Sequence, residues 1–482
     1  MVNKNKLDQK YILLFICITI LLCLTYYVKH DIDHIIIYLY LIIVLFTGFF
    51  FSKKIKSFND YSVGNKNISF PIILLSFFAT QIGGGSTFGT ITEIYTKGII
   101  FAFASLGYVL ASLFTGYFIA PNFHNKFKDA LTVSDIIKHF YGGVSERLSA
   151  IVAFLFGVGV LSTQMVVLGV MFKTFLGLDY NASVLVSGLV VIIYSTFGGI
   201  WAVSITDVIQ FTLLATAIPL LCSIMLGHAG GLFNIMYIIP SEKAEIISHS
   251  SFYELMCLFC FCAVPFHLLQ PATVQRCLIL KEGKKIKKMF YMYAIIKAIL
   301  ITLLSLMALS AIILYNNIDP RRIVEISINN FFPPVLKGIT ICGLIAVIMS
   351  TADSHLNSSS VLMIQNIFKI RSNKLIYVKI ASLVLGIASV LIALLEMNII
   401  KMIIFFELLY SVGIGIPLVF AILKIKTSPE IFYTAFFSSF LLIVFFYLIQ
   451  QEINFYTPIL IIIIITCIMC IYLLYNKNSN SC

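Results

Sequence analysis

Long apolar stretches alternate with short polar stretches along most of this chain. A helix needs about 20 mainly apolar residues to cross a bilayer, and the apolar stretches are about that long or longer. The pattern predicts fourteen membrane-spanning helices, at about residues 11–28, 34–52, 70–96, 99–120, 147–176, 182–198, 201–227, 252–279, 289–315, 333–368, 375–396, 400–423, 430–449 and 455–475.

Composition and charge agree with a membrane protein. Of the 482 residues, 60% are hydrophobic and 11% are charged, a balance that soluble globular proteins do not have. The net charge of +12 follows membrane topology rather than a nucleic-acid partner. If both termini are cytoplasmic, about three quarters of the lysine and arginine residues fall on the cytoplasmic side, as the positive-inside rule requires. We therefore expect an integral protein of the plasma (cytoplasmic) membrane with both termini inside.

The densest basic loop is KEGKKIKK, residues 281–288. We interpret it mainly as a topology anchor, and binding of anionic lipid is the alternative. No polar loop is long enough to hold a fused soluble domain.

The segment FFATQIGGGSTFG, residues 77–89, places Gly83, Gly84 and Gly85 together inside the third apolar stretch. A glycine within a helix costs about 1 kcal/mol relative to alanine, so three in a row favour a break in the helix. Bare carbonyl groups at membrane depth are tolerated only where they face protein or a watery cavity. Secondary transporters bind ions and solutes at such breaks. The alternative is an unbroken helix whose small residues pack against a neighbouring helix.

A second polar segment, GGIWAVSITDVIQ at residues 198–210, places Asp207 inside a predicted span. A carboxylate at that depth is paired, solvated in a cavity or functional. We favour a functional role, and a structural ion pair near the cytoplasmic face is the alternative.

A third polar segment, AVIMSTADSHLNSSS at residues 346–360, carries Ser350, Thr351 and Asp353 directly after an apolar stretch. Small hard cations prefer oxygen ligands, and the carbonyl of Val347 lies one turn before the two hydroxyls. The alternative is that the hydroxyls only bond back to their own helix, as they commonly do in membranes.

A fourth polar segment, VPFHLLQPATVQR at residues 264–276, contains two prolines and predicts a second broken helix, because proline frees backbone carbonyls. We interpret Arg276, at its end, as an anchor at the cytoplasmic face. The two breaks fall in the third and eighth predicted spans. The two breaks are therefore five spans apart. Because five is an odd number, the two halves would cross the membrane in opposite directions, as inverted five-helix repeats do.

These segments resemble the sodium/solute symporter family, which includes carriers for proline, pantothenate, sugars, sialate and choline. FNDYSVGNKNIS at residues 58–69 is similar to the family's entry to its first core helix, and GGIWAVSITDVIQ is similar to its GG-x-x-A-V-x-x-TD-x-x-Q signature. MSTADSHLNSSS and QPATVQR resemble the family's eighth and sixth core helices. The resemblance runs from about residue 34 to at least residue 425. The glycines at 83–85 depart from the pattern of the proline carriers, so the resemblance does not identify the transported solute.

The resemblance implies an all-α polytopic membrane protein with a five-plus-five inverted-repeat transporter core and two broken helices. Its expected parts are two N-terminal helices with a cytoplasmic entry loop at 1–69, the ten-helix core at 70–425 with repeats at about 70–227 and 252–425, and two C-terminal helices with a tail at 426–482.

The resemblance also assigns candidate site residues, each by its position in a matching motif. The sodium site corresponds to carbonyls and hydroxyls of Ala79, Ile82, Val347, Ser350 and Thr351. Coupling or a second ion corresponds to Asp207 and Asp353. The solute would lie between the two broken helices, near Gln81, Ser86, Thr163, Gln164, His267 and Gln270.

The sequence therefore predicts a sodium-coupled symporter that imports a small organic solute, such as proline, pantothenate or a choline-like molecule, by alternating access. Two alternatives are a proton-coupled carrier that titrates Asp207 or Asp353, and a transporter-like sensor that binds solute without net transport. The expected partners are sodium, the solute and the lipid bilayer. An enzyme is not expected, because no nucleophile–base pair or cofactor motif stands out.

Overall fold

The computed structural model describes residues 31–123, 127, 129–244, 249–315, 317–395, 407–423, 425 and 428–450, with the side chains of 249–254, 266–267 and 446–450 left out. The spans predicted at 11–28 and 455–475 lie outside these residues. In the described part every regular element is helical. The α-helices are α1 Ile32–Ser52, α2 Phe58–Val63, α3 Phe70–Gln81, α4 Thr90–Lys97, α5 Ile99–Ser105, α6 Gly107–Phe114, α7 Val133–Leu176, α8 Tyr180–His228, α9 Gly231–Ile238, α10 Ser241–Ala244, α11 His249–Ala263, α12 Pro271–Ile279, α13 Gly283–Leu314, α14 Ile323–Phe331, α15 Leu336–Leu362, α16 Lys374–Leu394, α17 Ile416–Ile422 and α18 Pro429–Gln450.

Long apolar helices dominate the architecture. Within the described residues, seven helical stretches are long and apolar enough to cross a membrane, and a bent helix pair gives an eighth. Two of the seven, α7 and α8, are much longer than a bilayer requires, at 44 and 49 residues. The predicted number of fourteen spans and the inverted repeat stay predictions.

The length of α8 is divided by a sharp bend at Gly199. This glycine has φ +50°, outside the helical region, and a side-chain carbon there would lie 3.0 Å from the carbonyl oxygen of Tyr61. Both the positive φ and the close approach require glycine. Gly199 lies between the predicted spans 182–198 and 201–227, so the sequence boundary corresponds to a bend rather than to a loop.

The helix predicted to break at the glycine triplet does break. α3 ends at Gln81, and Ile82 leaves the helical region with φ −106° and ψ 81°. A turn of π-helix at Gly85–Gly89 leads into α4, and the two halves meet at an angle of 58°.

The second predicted break is also present. α11 ends at Ala263, a 3-10 segment occupies Pro265–Leu269, and α12 begins at Pro271. Proline is suited to the first position of a helix, because its missing N–H would be unsatisfied there in any case.

The polar helix α15 lies at the centre of the bundle. Nearly every residue from Gly338 to Leu362 is buried, including its serines, Asp353, His355 and Asn357. It packs against α7 and α8, and also against α1 and α3. The polar segment at 346–360 therefore faces other helices rather than lipid.

Candidate functional site

The candidate ion site lies where the break after α3 faces α15. The hydroxyl oxygen of Ser350 is 3.0 Å from the carbonyl oxygen of Ala79 and 2.9 Å from that of Val347. The hydroxyl oxygen of Thr351 is 3.3 Å from the Val347 carbonyl and 3.5 Å from the carbonyl of Thr80. These residues are all buried. Oxygen atoms of two helices thus converge at one point.

Ile82 lies at the same break and is 1% exposed. Because its backbone is non-helical, its carbonyl is directed away from the helical hydrogen-bond pattern. The next residue, Gly83, packs directly on Thr351, since a side-chain carbon at Gly83 would lie 2.8 Å from Thr351 Oγ1. The structure therefore places all five residues predicted for sodium in one region.

Asp207 forms an ion pair with Arg276, and both side chains are 0% exposed. Arg276 Nη2 lies 2.9 Å from Asp207 Oδ2, and Arg276 Nε donates to Ser76 Oγ at 2.9 Å. Ser76 Oγ in turn donates to Asp207 Oδ2 at 2.5 Å. The interpretation of Arg276 as a surface anchor is wrong. Hydropathy predicts that an arginine beside an apolar stretch lies at the helix end, in contact with water. Here the hydrogen-bond acceptors of Arg276 include groups on distant helices, and because they compensate for the lost water the side chain can be fully buried.

Asp353 belongs to the same buried network. Its Oδ2 accepts a hydrogen bond from the Tyr194 hydroxyl at 2.6 Å. Its Oδ1 lies 3.3 Å from Ser354 Oγ, which accepts from Arg276 Nη2 at 2.7 Å and lies 3.0 Å from Thr80 Oγ1. The two carboxylates predicted for coupling are thus linked through Ser354 and Arg276.

This polar network is adjacent to the candidate ion site. Ser76 lies one turn before Ala79 on α3, and Ser354 lies one turn after Ser350 on α15, so the separation along each helix is about 5 Å. The network is on the side of the ion site nearer the entry loop, because α3 begins at Phe70.

Sequence reasoning did not identify Ser76, Tyr194 or Ser354 as partners of the charged residues. Each of the three has a charged partner that lies on a different helix and far away along the chain, a pairing that the sequence does not reveal. Two of them, Ser76 and Ser354, lie within one turn of a residue that the sequence predicted for the site. That position was their one signal in the sequence.

Three residues predicted to contact the solute lie near the glycine break. Gln81 Nε2 donates to the hydroxyl of Thr273, which links the two broken helices. Gln164 is 6% exposed, and its Oε1 has no hydrogen-bond partner among the described residues. A side-chain carbon at Gly84 would lie 3.6 Å from this oxygen. Ser86 Oγ donates to the carbonyl of Gly83 at 3.1 Å.

The remaining predicted solute residues are less informative. The Thr163 hydroxyl donates to Gly159 of its own helix at 3.2 Å. Gln270 is half-buried directly before α12. The side chain of His267 lies outside the described part of the structure. Thr273, which sequence reasoning missed, is fully buried at the start of α12 and joins this group through Gln81.

Comparison with known proteins identifies the family. The profile of the Sodium:solute symporter family matches residues 61–429, which include both broken helices and the whole polar network. The chain belongs to this family. This symporter is accordingly an integral membrane transporter and not an enzyme.

Two relatives of this symporter are described as proline carriers. The High-affinity proline transporter PutP of Bacillus subtilis (strain 168) is 26% identical over 343 residues, 68% of this chain and 72% of the relative. A Sodium/proline symporter of Staphylococcus aureus is 23% identical over 352 residues, 70% of this chain and 68% of the relative.

Solved structures confirm the helical transporter fold. A Na+-coupled sialic acid symporter in a substrate-bound outward-open state superposes with a TM-score of 0.79 at 20% identity, over 91% of this chain and 96% of the other. Mhp1, a nucleobase-cation-symport-1 family transporter, gives a TM-score of 0.54 at 11% identity, over 86% and 95% of the chains.

Proposed function

We propose that this protein imports a small organic solute by alternating access and that sodium binds at the break after α3. The observation that carries this proposal is the 3.0 Å approach of Ser350 Oγ to the Ala79 carbonyl, across two helices. Three carbonyls and two hydroxyls offer oxygen ligands without a carboxylate. Such a neutral set suits a hard cation of low charge, since hard cations prefer oxygen ligands.

Sodium at this site would stabilise one arrangement of the broken helix against α15. A ligand shifts a conformational equilibrium only by its differential affinity for the two states. Coupling therefore requires sodium and solute to favour the same state, and each then raises the affinity for the other. Two side chains support a solute position beside the same break. Gln81 lies two residues before the glycine triplet, and Gln164 Oε1 would lie 3.6 Å from a side-chain carbon at Gly84.

The Arg276–Asp207 pair supports a role in the release step. It links α8 and α12, and its hydrogen bonds reach Ser76 on α3 and Ser354 on α15. These bonds close the bundle directly beside the ion site, on the entry-loop side. We propose that they separate when the ion and solute leave toward the cytoplasm.

An amino acid such as proline is the first solute to test, because the relatives reported above are proline transporters. Purified protein is first screened by thermal shift against proline, pantothenate, choline, sugars and sialate. The best solute is then supplied in radiolabelled form to proteoliposomes. We expect the solute to accumulate when an inward sodium gradient is imposed, and not to accumulate when potassium replaces sodium.

Accumulation driven by a pH gradient in sodium-free buffer would instead favour the proton-coupled carrier. Solute binding without accumulation would favour the sensor.

A further inference from the structure

The lysine-rich loop at 281–288 borders two cavities on the face that carries the entry loop. One cavity of about 430 Å³ is lined by Pro121, Lys284 and Lys287, with Glu282 and Gly283. A neighbouring cavity of about 220 Å³ has Lys66 and Lys281 in its wall beside apolar side chains. We call Lys66, Lys281, Lys284 and Lys287 the basic rim. The positive-inside rule places this face in the cytoplasm.

Positive charge at the basic rim exceeds the negative charge around it. Glu282 is engaged with Lys285, which lies 2.6 Å away. Burial, together with the neighbouring charge of Lys281, lowers the pKa of Lys66, whereas Asp129 raises it. Lys284 and Lys287 also lie in the first two turns of α13, where the helix end already carries positive partial charge. An anion at this place would relieve the repulsion.

Exposed aromatic side chains continue from the basic rim onto the outer surface of the bundle. Lys287 Nζ lies 5.1 Å from the ring centre of Tyr117 and 5.4 Å from that of Tyr291. Tyr117 is 59% exposed, and its neighbour Phe118 is 47% exposed. In a membrane protein these apolar surfaces meet acyl chains. The lysines therefore lie where a headgroup phosphate meets the hydrocarbon of one leaflet.

We propose that the basic rim and these aromatic residues bind one anionic phospholipid of the cytoplasmic leaflet. The phosphate would lie between Lys281, Lys284 and Lys287, and an acyl chain would lie along Tyr117 and Phe118. Charge complementarity favours an anionic headgroup over phosphatidylcholine, and basic pockets between helices on this side of a membrane are suited to such lipids. This inference is independent of the transported solute and of the ion.

The test uses native mass spectrometry of the full-length protein in detergent, titrated with phosphatidylglycerol or with phosphatidylcholine of the same acyl chains. We expect one phosphatidylglycerol to bind at a lipid concentration that leaves phosphatidylcholine unbound. Each Lys→Gln change at 281, 284 or 287 should weaken binding about fivefold, since a lysine near the surface contributes about 1 kcal/mol to attraction of anionic lipid. The triple variant should therefore lose about hundredfold in affinity.

The control is Lys97→Gln/Lys173→Gln/Lys337→Gln, which removes the same charge from the opposite face, where the predicted spans put these lysines if both termini are cytoplasmic. It should bind phosphatidylglycerol as the wild type does. Thermal unfolding checks that the variants fold, and the single variants serve if the triple variant does not. Equal binding of the two lipids, or unchanged affinity in the Lys281, Lys284 and Lys287 variants, would overturn the proposal. So would displacement of the lipid by glycerol 1-phosphate at equal concentration, which would indicate a site for a soluble anion.

Discussion

Arg276 and Asp207 form an ion pair of 2.9 Å in which both side chains are completely buried. The pair joins α12 to α8. Arg276 also donates to the Ala272 carbonyl of its own helix, and two further hydrogen bonds reach α3 and α15. Since α3 and α12 are the helices that flank the two breaks, the pair fixes the broken helices relative to the central polar helix. The proposed ion site and solute region lie on these same helices.

Removing Asp207 should destabilise the protein strongly. Asp207→Ala leaves the Arg276 guanidinium buried without its counter-ion, which costs about 3–5 kcal/mol. Thermal unfolding in detergent measures this. The matched control is Glu325→Ala, which breaks the surface pair with Arg322 at 3.0 Å and should cost less than about 1 kcal/mol.

The double variant Asp207→Leu/Arg276→Met separates charge from packing. Replacing a buried pair by apolar side chains of similar size is often nearly neutral for stability. We therefore expect the double variant to recover most of the melting temperature that Asp207→Ala loses. Transport should stay low in both variants, because the ion pair proposed for the release step is absent from both. A double variant no more stable than Asp207→Ala would contradict this account of the pair.

Gly83→Ala should weaken sodium binding. The added carbon would lie 2.8 Å from Thr351 Oγ1, so it displaces a hydroxyl assigned to the ion. Overpacking of this kind costs about 1–3 kcal/mol, or about tenfold or more in sodium affinity. The effect is measured as the sodium concentration that gives half of the maximal rise in the melting temperature of the purified protein.

Gly89→Ala is the control for Gly83→Ala. It is on the same broken helix, and a side-chain carbon there meets nothing within 4 Å. Its sodium dependence should equal that of the wild type. Equal sodium affinity in the two variants would remove Thr351 from the ion site.

Thr273→Val should weaken solute binding while sodium binding is kept. The change preserves shape but removes the acceptor of Gln81 Nε2, and a hydrogen bond of this kind contributes about 0.5–1.5 kcal/mol. We expect a solute KM raised by up to about tenfold in proteoliposome uptake. Thr273→Ser keeps the hydroxyl and should restore the wild-type KM. Failure of serine to do so would show that the threonine methyl, rather than the hydrogen bond, matters.

Gly199→Ala should destabilise the fold by about 2–4 kcal/mol, because alanine is strained at positive φ and would press on Tyr61. Gly227→Ala is the control on the same helix, where a side-chain carbon meets nothing within 4 Å. That change should be neutral or stabilising, as alanine favours a helix. Comparison of the two melting temperatures tests the bend at Gly199.

Local chemistry made the breaks predictable from sequence. The glycines at 83–85 and the prolines at 265 and 271 act on their own backbone, and the structure interrupts the helices at both places. Apolar length likewise located the long helices of the described part.

The partners of the charged residues were not predictable in the same way. Ser76 and Asp207 are 131 residues apart, and Tyr194 and Asp353 are 159 residues apart. Only the packing of α3, α8, α12 and α15 brings these side chains together. Arg276 shows the consequence, since its place near the end of an apolar stretch indicated an anchor, whereas tertiary packing buries it.

The most direct test of the ion site is the sodium-dependent melting temperature of purified protein, with potassium as the reference salt. A ligand at one hundred times its Kd stabilises the folded state by about 2.7 kcal/mol, so wild-type protein should melt at a higher temperature as sodium rises. Ser360→Ala removes a hydroxyl of α15 that lies nine residues beyond Thr351 and donates to the Asn357 carbonyl at 2.8 Å, so this variant should keep the shift. Ser350→Ala/Thr351→Ala should abolish it. A full sodium shift in this double variant would contradict the assignment of sodium to the break after α3.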